Sequence, residues 1–578
     1  MTRVLKYVSK HKALLFFGTF SMISVIGIDL ISPYLQQLFI DNGIGEGNYS
    51  LIKKILIGLL IITLLKSILG YGKEYLYDLL GVEVHEDIKK DLFNHIQKLE
   101  FKYFDDMNTG ELMSRIGEDV ENIWQTLGFG LRLFIENIIY FVVSTIILFM
   151  LNAKLALACF VIMIPIGFIG IKLEKKFGKA YEDLSDQTAK ITTTAQENIA
   201  GVRLVKAFSR EKHEISKFLK MNRKFYDLSM VQGKIIGDYF PPIEFLTNIS
   251  LVVMIVFGGY LVMNENITIG VLVAFSGYIW NLIWPMRMLG ELLDLLSRNT
   301  ASAKKIFEIM DKEPESLNKE GSYESNEVKG RIKFNNVSFK YKDEYVLKNI
   351  NLDIKAGSTV AIMGTTGSGK STLINLIGKY YNATDGSIEI DEVNINDYNL
   401  KFLRENMSIV PQDTFLFSDT ILNNIKFSND SATIEEVREA ARLACALEFI
   451  DELEEGLNTE IGERGMGLSG GQKQRLSITR ALVRKSKILI LDDSTSALDM
   501  ETEYSLLKNL SERKNTSTTF IIAHRISAVK NADLILYLED GEIKEMGTHE
   551  ELLEVKGKYF DIYCNQFKDF NLLEEEVI

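Results

Sequence analysis

Residues 364–371 read Gly-Thr-Thr-Gly-Ser-Gly-Lys-Ser, which fits the spacing G-x-x-x-x-G-K-[ST]. The chemistry open to such a run is the holding of a polyphosphate. Its glycines let backbone N–H groups wrap phosphate oxygens, and a helix opening behind the loop adds a partial positive charge. Lys370 would reach the β- and γ-phosphates, and the Ser371 hydroxyl would ligate Mg²⁺. Gly364, Thr365, Thr366, Gly367, Ser368, Gly369, Lys370, Ser371 and Thr372 are therefore the candidate nucleotide contacts. Further along, the apolar run Ile488–Leu491 ends in Asp492-Asp493. A carboxylate delivered by a buried strand beside a phosphate loop holds the Mg²⁺ shell, which is the role expected of Asp492. ATP and Mg²⁺ are the expected ligands.

These groups need elements to aim them. Residues 359–363 (TVAIM) have a buried-strand pattern and 371–381 (STLINLIGKYY) a helical one, so the loop lies in a strand–loop–helix frame. Short β-runs and amphipathic helices continue from Arg331 to the end, which predicts an α/β domain over 331–578. That stretch carries 29 Lys+Arg against 41 Asp+Glu, a net charge of −12, whereas the first 330 residues carry 36 against 37. The whole chain has 578 residues, 47% hydrophobic and 25% charged, and a net charge of −13. Its mean hydropathy of +0.06 thus averages two unlike halves. The acidic balance argues against a nucleic-acid partner. The apolar fraction excludes a disordered chain, and three cysteines exclude a disulfide scaffold. Cys159, Cys445 and Cys564 are expected reduced and without metal spacing.

In the first half, six stretches approach the ~20 apolar residues that cross a bilayer: about 13–36, 51–72, 131–151, 155–173, 243–263 and 268–290. Arg3, Lys6, Lys10 and Lys12 precede the first and place the N-terminus in the cytoplasm. The connections 41–50 and 263–268 contain no Lys or Arg and 152–154 only Lys154, so they read as external. The charged, helix-patterned stretches 73–130 and 174–240 read as long cytoplasmic extensions of the membrane helices. Both termini then lie inside, in a multi-pass protein of the cytoplasmic membrane. Residues 2–12 could form an interfacial helix. Residues 1–305 are the expected transmembrane domain, and 306–330, acidic and containing Pro314, the linker.

Between the two nucleotide motifs lies Leu468-Ser469-Gly470-Gly471-Gln472. With it the chain resembles, over essentially its full length, the ABC transporter superfamily. The likeness is to exporters that fuse one six-helix membrane domain to one ATPase domain. The resemblance implies the roles of further residues. Tyr341 is similar to the aromatic that stacks on adenine. Gln412 resembles the glutamine that senses Mg²⁺ and the γ-phosphate, Asp499 the aspartate that crosses the dimer interface, and His524 the switch histidine. Residues 104–119 and 196–211 resemble the two coupling-helix regions. Two such ATPase domains close head to tail around two ATP molecules. Ser469, Gly470, Gly471 and Gln472 would therefore cap ATP held by a second half-transporter.

One position departs from the family pattern. After the Mg²⁺ aspartate the family usually has a glutamate that orients or deprotonates the attacking water; here it is Asp493. Its carboxylate falls short by about 1 Å, a misplacement that can cost roughly 10²-fold in rate. The substitution resembles the slow half of heterodimeric exporters, although such halves often also lose the switch histidine and His524 remains. A heterodimer is expected over a homodimer with two slow sites. For cargo, the candidates are Asp29, Glu136 and Glu244 in the spans, with Glu291 and Asp294 near the end of the sixth. Intramembrane carboxylates point to a cavity, and Phe134, Trp280, Trp284 and Met286 could line it. Amphipathic small molecules, cationic ones above all, or lipids are the expected substrates. A peptide exporter and an ATP-binding regulatory protein are the alternatives.

Overall fold

The computed structural model describes residues 2–315, 321–325, 327–512 and 516–575. Side chains of residues 2, 286, 287, 289–291, 293, 294, 296–298 and 568–575 lie outside that description. The chain divides into two compact units, 1–97 with 107–312, and 98–106 with 313–578.

Among the described residues of the first unit, five helices are long and apolar enough to cross a bilayer: Lys12–Ile44, Tyr49–Ile96, Thr109–Leu151, Ala153–Ala200 and Glu211–Met263. Ile269–Met310 follows, apolar over Ile269–Pro285 among the described residues. The 48 residues of Tyr49–Ile96 reach about 72 Å, more than twice a ~30 Å hydrocarbon core. The long extensions expected from the charged stretches are therefore continuous helix.

Local sequence starts these helices where the short connections end. Asn48, Asn152 and Thr268 each accept a hydrogen bond from the backbone N–H three residues on, satisfying a donor the first turn leaves free. Phe16, Phe20, Leu60, Leu64, Ile68 and Val256 stand exposed, a surface that suits hydrocarbon rather than water. Inside, Leu148, Leu155, Cys159, Met254, Phe275 and Ile279 share one core. Pro33, Pro165, Pro241, Pro242 and Pro285 lie within helices, as bundle interiors permit.

Three sequence expectations change in detail. The N-terminal helix is shorter, Thr2–Val8, and buries Val4 and Val8 against protein instead of leaving an apolar face for lipid. Arg3 pairs with Asp311 at 2.6 Å and the Tyr7 hydroxyl donates to Asp91 at 2.9 Å, which hold it there. The helix ending at Met310 runs into the stretch expected as linker. The first coupling region, expected at 104–119, is divided: Lys98–Asp106 belongs to the second unit and Met107 onward to the first.

The second unit is built on a six-stranded sheet. Its order is Glu542–Gly547, Leu534–Glu539, Thr359–Gly364, Thr518–Ile522, Ile488–Asp492, Met407–Val410. The first pair is antiparallel and the rest are parallel. Ile488 and Ile490 enter one core while Leu489 and Leu491 enter another, so this strand is buried on both faces. A four-stranded antiparallel sheet, led by Ile332–Lys340 and Tyr345–Ile354, closes over the first of these cores.

Candidate functional site

Three neighbouring parallel strands end at the same edge of the sheet. Ile522 is in register with Ile362 on one side and Asp492 on the other. The strands therefore deliver the phosphate loop, His524 and the Asp492-Asp493 pair side by side, at the carboxyl ends where open α/β sheets bind ligands.

The loop between Gly364 and the helix Lys370–Ile377 is a nest of left-handed residues: φ is +147° at Gly364, +82° at Gly367 and +99° at Gly369. Glycine is required at two of them for a second reason. A Cβ on Gly364 would lie 2.1 Å from the Leu538 carbonyl oxygen, and one on Gly369 2.7 Å from Leu347. The Lys370 ammonium donates to the carbonyls of Gly364 (3.0 Å) and Thr365 (2.8 Å), so it arches over the loop. The Ser368 hydroxyl is buried with no hydrogen-bond partner among the described residues, a polar atom in need of a ligand.

Asp492 is buried, and the Ser371 hydroxyl hydrogen-bonds it. Burial holds the Asp492 carboxyl above the usual carboxylate range, and the neighbouring Asp493 pushes the same way. Lys370 and His524 oppose that rise. Burial also lowers Lys370, despite Asp492 and Asp493 nearby. A hydroxyl and a carboxylate side by side are hard oxygen ligands, and Mg²⁺ shared with phosphates takes only one or two protein carboxylates. Ser371 and Asp492 thus fit Mg²⁺, and Ser368, Lys370 and the glycine nest fit the phosphates.

Tyr341 is brought to the same place. Its hydroxyl lies 3.3 Å from Thr372 Oγ1, and Phe339 and Tyr381 flank its ring nearly at right angles, at 4.9 and 5.2 Å. Gln412 is exposed just past the strand Met407–Val410, beside the Asp492 strand. Asp493 itself has φ +45°, and its N–H donates to the Ile522 carbonyl at 3.0 Å. A carboxylate side chain of this length tolerates the left-handed region better than most.

The signature residues form a separate patch. Ser469 caps the helix Gly470–Val483: its hydroxyl accepts from Gln472 N–H at 3.3 Å, and the Gln472 side chain accepts from Ser469 N–H at 2.8 Å. Ser469 and Gly470 are exposed. Asp499 likewise caps Met500–Ser511, bonding Thr502 N–H and its hydroxyl at 2.9 and 2.7 Å. Those bonds hold Asp499 below the usual carboxylate range.

Gln474 escaped the sequence reading. It is buried, donates to Ser496 Oγ at 3.3 Å and accepts from Ala497 N–H at 3.0 Å, while Ser496 Oγ bonds the Asp493 carbonyl at 2.9 Å. The signature helix is thereby stitched to the loop that follows Asp493. A polar residue two places beyond Gln472 in the same helix was the only signal.

The intramembrane carboxylates look different in three dimensions. Asp29 pairs with Lys66 at 2.5 Å and accepts from Tyr140 at 3.0 Å. Glu136 pairs with buried Lys73 at 3.0 Å, and Glu74 with Arg132. Lys66 and Lys73 were absent from the cavity reading, and they neutralise two of the acids it relied on, Asp29 and Glu136. Trp280 and Trp284 are exposed, and the side chains of Met286, Glu291 and Asp294 lie outside the described residues.

Comparison with known proteins gives matches at both ends of the chain. Residues 15–286 match the family described as ABC transporter transmembrane region, and 347–496 the family described as ABC transporter. An ATP-dependent lipid A-core flippase of Syntrophus aciditrophicus (strain SB) is 36% identical over 550 residues, 94% of this chain and 90% of that one. A putative multidrug export ATP-binding/permease protein of Bacillus subtilis (strain 168) is 34% identical over 576 residues, 98% of this chain and 99% of that one. The structure of a bacterial Atm1-family ABC exporter with ATP bound superposes with a TM-score of 0.83 at 26% identity, covering 96% of this chain and 98% of that one.

Proposed function

The chain belongs to the ABC transporters, as a fused half-transporter of the exporter type, and on that premise we propose that it exports amphipathic small molecules or lipids across the cytoplasmic membrane, as the slow-hydrolysing half of a heterodimer. Both termini and the ATPase unit lie on the cytoplasmic side. One observation carries the reading: the glycine nest, Lys370, Ser371, Asp492, Asp493 and His524 converge at one sheet edge, in a chain whose other unit offers helices fit to span a bilayer.

In the working site the phosphate loop and Ser368 hold the ATP phosphates, Lys370 turns from its carbonyls to the β- and γ-oxygens, and Tyr341 stacks on adenine. Ser371, Asp492 and Gln412 would hold Mg²⁺, which when bound would supply charge neutralisation on the phosphates. Asp493 and His524 face the γ-phosphate. Asp493 keeps the charge that polarises water but not the reach, so its site binds ATP well and turns it over slowly. The intact signature, Ser469 to Gln472, serves the ATP of the other half.

The neutralised pairs Asp29–Lys66 and Glu136–Lys73 move the cargo away from simple cations toward zwitterionic or lipid-like amphiphiles. The flippase relative supports a lipid cargo. The test is ATP-driven uptake into inverted membrane vesicles of a fluorescent phospholipid and of a cationic dye, with this chain alone and with a second half-transporter. Uptake of either that needs ATP and vanishes with Lys370→Ala is expected, and greater with the second half. Robust uptake and hydrolysis by this chain alone would sink the slow-half reading.

A further inference from the structure

The segment Lys98–Asp106 lies in sequence among membrane-unit helices, between Ile96 and Thr109, yet it belongs to the ATPase unit. Within that unit it packs beside the nucleotide aromatics. Phe101 meets Tyr380 at 4.5 Å, and Lys342 pairs with Asp106 at 3.5 Å. Arg404 lies over both the Phe101 and Tyr380 rings while bonding Glu315 at 2.8 and 2.9 Å. The contact that reaches furthest is the Tyr381 hydroxyl, which donates to the Asp105 carboxylate at 2.5 Å. The Tyr381 ring stands at 84° to Tyr341, 5.2 Å between centroids, and at 5.7 Å from Phe339. A cavity of about 290 Å³ opens among Glu100, Lys102, Tyr341, Tyr380 and Tyr381.

The orientation of an exposed aromatic decides whether a base can stack on it. Tyr341 has a half-free ring, fixed by Thr372 at its hydroxyl and by Phe339 and Tyr381 at its sides. Of these supports, Tyr381 is the one whose own position depends on another segment. We infer that Asp105 and Tyr381 are positioning residues for adenine: the coupling segment, through the Asp105–Tyr381 bond, holds the Tyr341 ring in its stacking pose. The base-dependent part of ATP affinity is then set by a segment that the chain suspends between two membrane-unit helices. By reciprocity, adenine binding stabilises that segment in its docked position.

The inference rests on Tyr341 stacking on adenine, and the test separates the two. Equilibrium binding of MgATP and of Mg-tripolyphosphate, which has no base, is measured on the full chain in lipid nanodiscs. Tyr381→Phe keeps the ring and removes the bond; it should weaken MgATP by about fivefold, a part of what base–aromatic stacking contributes. Tripolyphosphate binding should not change. Asp105→Ala should behave the same way, and Asp105→Asn, which keeps an acceptor oxygen, should restore ATP binding. If Tyr341→Ala leaves MgATP affinity unchanged, the stacking reading fails and this inference with it. If Tyr341→Ala weakens ATP but Tyr381→Phe does not, the positioning role alone is overturned. Equal weakening of both ligands by Tyr381→Phe would also overturn it, as general damage.

Discussion

The phosphate loop and the signature are two polar loops of one domain, each opening a helix, and they are finished to different degrees. The phosphate loop is left incomplete. Among the described residues Ser368 is buried without a partner, Lys370 bonds carbonyls that a phosphate would replace, and Asp492 is buried with its carboxyl pushed up. The signature is complete within itself: Ser469 and Gln472 satisfy each other in a capping box, and the end of the helix faces solvent. An incomplete site is built for a ligand held by the same chain. A satisfied, exposed one has nothing to gain from its own chain and presents its face to something outside it.

The largest expected effect breaks this comparison most directly. Lys370→Ala removes a charge-assisted contact to phosphate and should weaken MgATP binding to this chain by about 10- to 100-fold. Ser469→Ala should leave that affinity within about twofold while slowing hydrolysis in the assembled dimer. Isothermal titration on the chain alone, beside phosphate release by the dimer, reads both. Equal losses of affinity from the two variants would mean that the signature serves the same ATP as the loop, and the comparison would fall.

The next effect concerns Asp493. Lengthening it restores reach, and Asp493→Glu should raise single-turnover hydrolysis at this site by about 10-fold or more, within the ~10²-fold that a 1 Å error can cost. The left-handed backbone, φ +45°, opposes the change, because longer side chains tolerate that region less well, at a cost of about 1 kcal/mol. A faster but less stable variant is therefore expected. Unchanged hydrolysis would show that reach is not what limits the site.

Much of this was legible in the residues. The glycine–lysine spacing and the acid after ILIL pointed to the glycine nest and to buried Asp492, which the strands bring to one sheet edge, because both rest on local backbone geometry that a short motif encodes. The continuous helices were legible too, since charged residues with a helical period cannot stay in lipid and must extend beyond it. Partners chosen by tertiary packing were not. Lys66 and Lys73 are far in sequence from Asp29 and Glu136, and no spacing rule links them. Lys98–Asp106 reads as part of the membrane half by position, and it is contacts such as those with Tyr380, Tyr381, Lys342 and Arg404 that assign it to the ATPase unit.

A smaller effect sharpens the claim of incompleteness. Asp492 has a raised pKa because burial disfavours its charge. The folded, unliganded protein therefore holds that proton more tightly than the unfolded chain does. This group supports folding fully below its unfolded pKa, and the support is lost as pH rises through the raised folded value. Asp492→Asn removes the buried charge, so near neutral pH its unliganded melting temperature should exceed that of the wild type. The gap should narrow as pH falls toward about 4. Mg²⁺-dependent ATP binding should be lost in the same variant. A lower melting temperature at neutral pH would mean that Asp492 is a satisfied structural group rather than one held ready for Mg²⁺.

The smallest effect separates two jobs of one hydroxyl. Ser469 caps its helix and, in the proposed function, is also the side chain offered to the other half's ATP. Replacing a serine cap by alanine costs about 1 kcal/mol, but replacing it by glycine costs only a few tenths. In an ATPase domain of this size that difference moves a melting temperature by about 1–3 °C. Both substitutions delete the hydroxyl. Ser469→Ala and Ser469→Gly should therefore impair hydrolysis by the dimer equally, while only the alanine variant melts earlier by differential scanning calorimetry. If instead activity follows the melting temperature, with glycine nearly intact, the hydroxyl matters to the helix and not to the ATP across the interface.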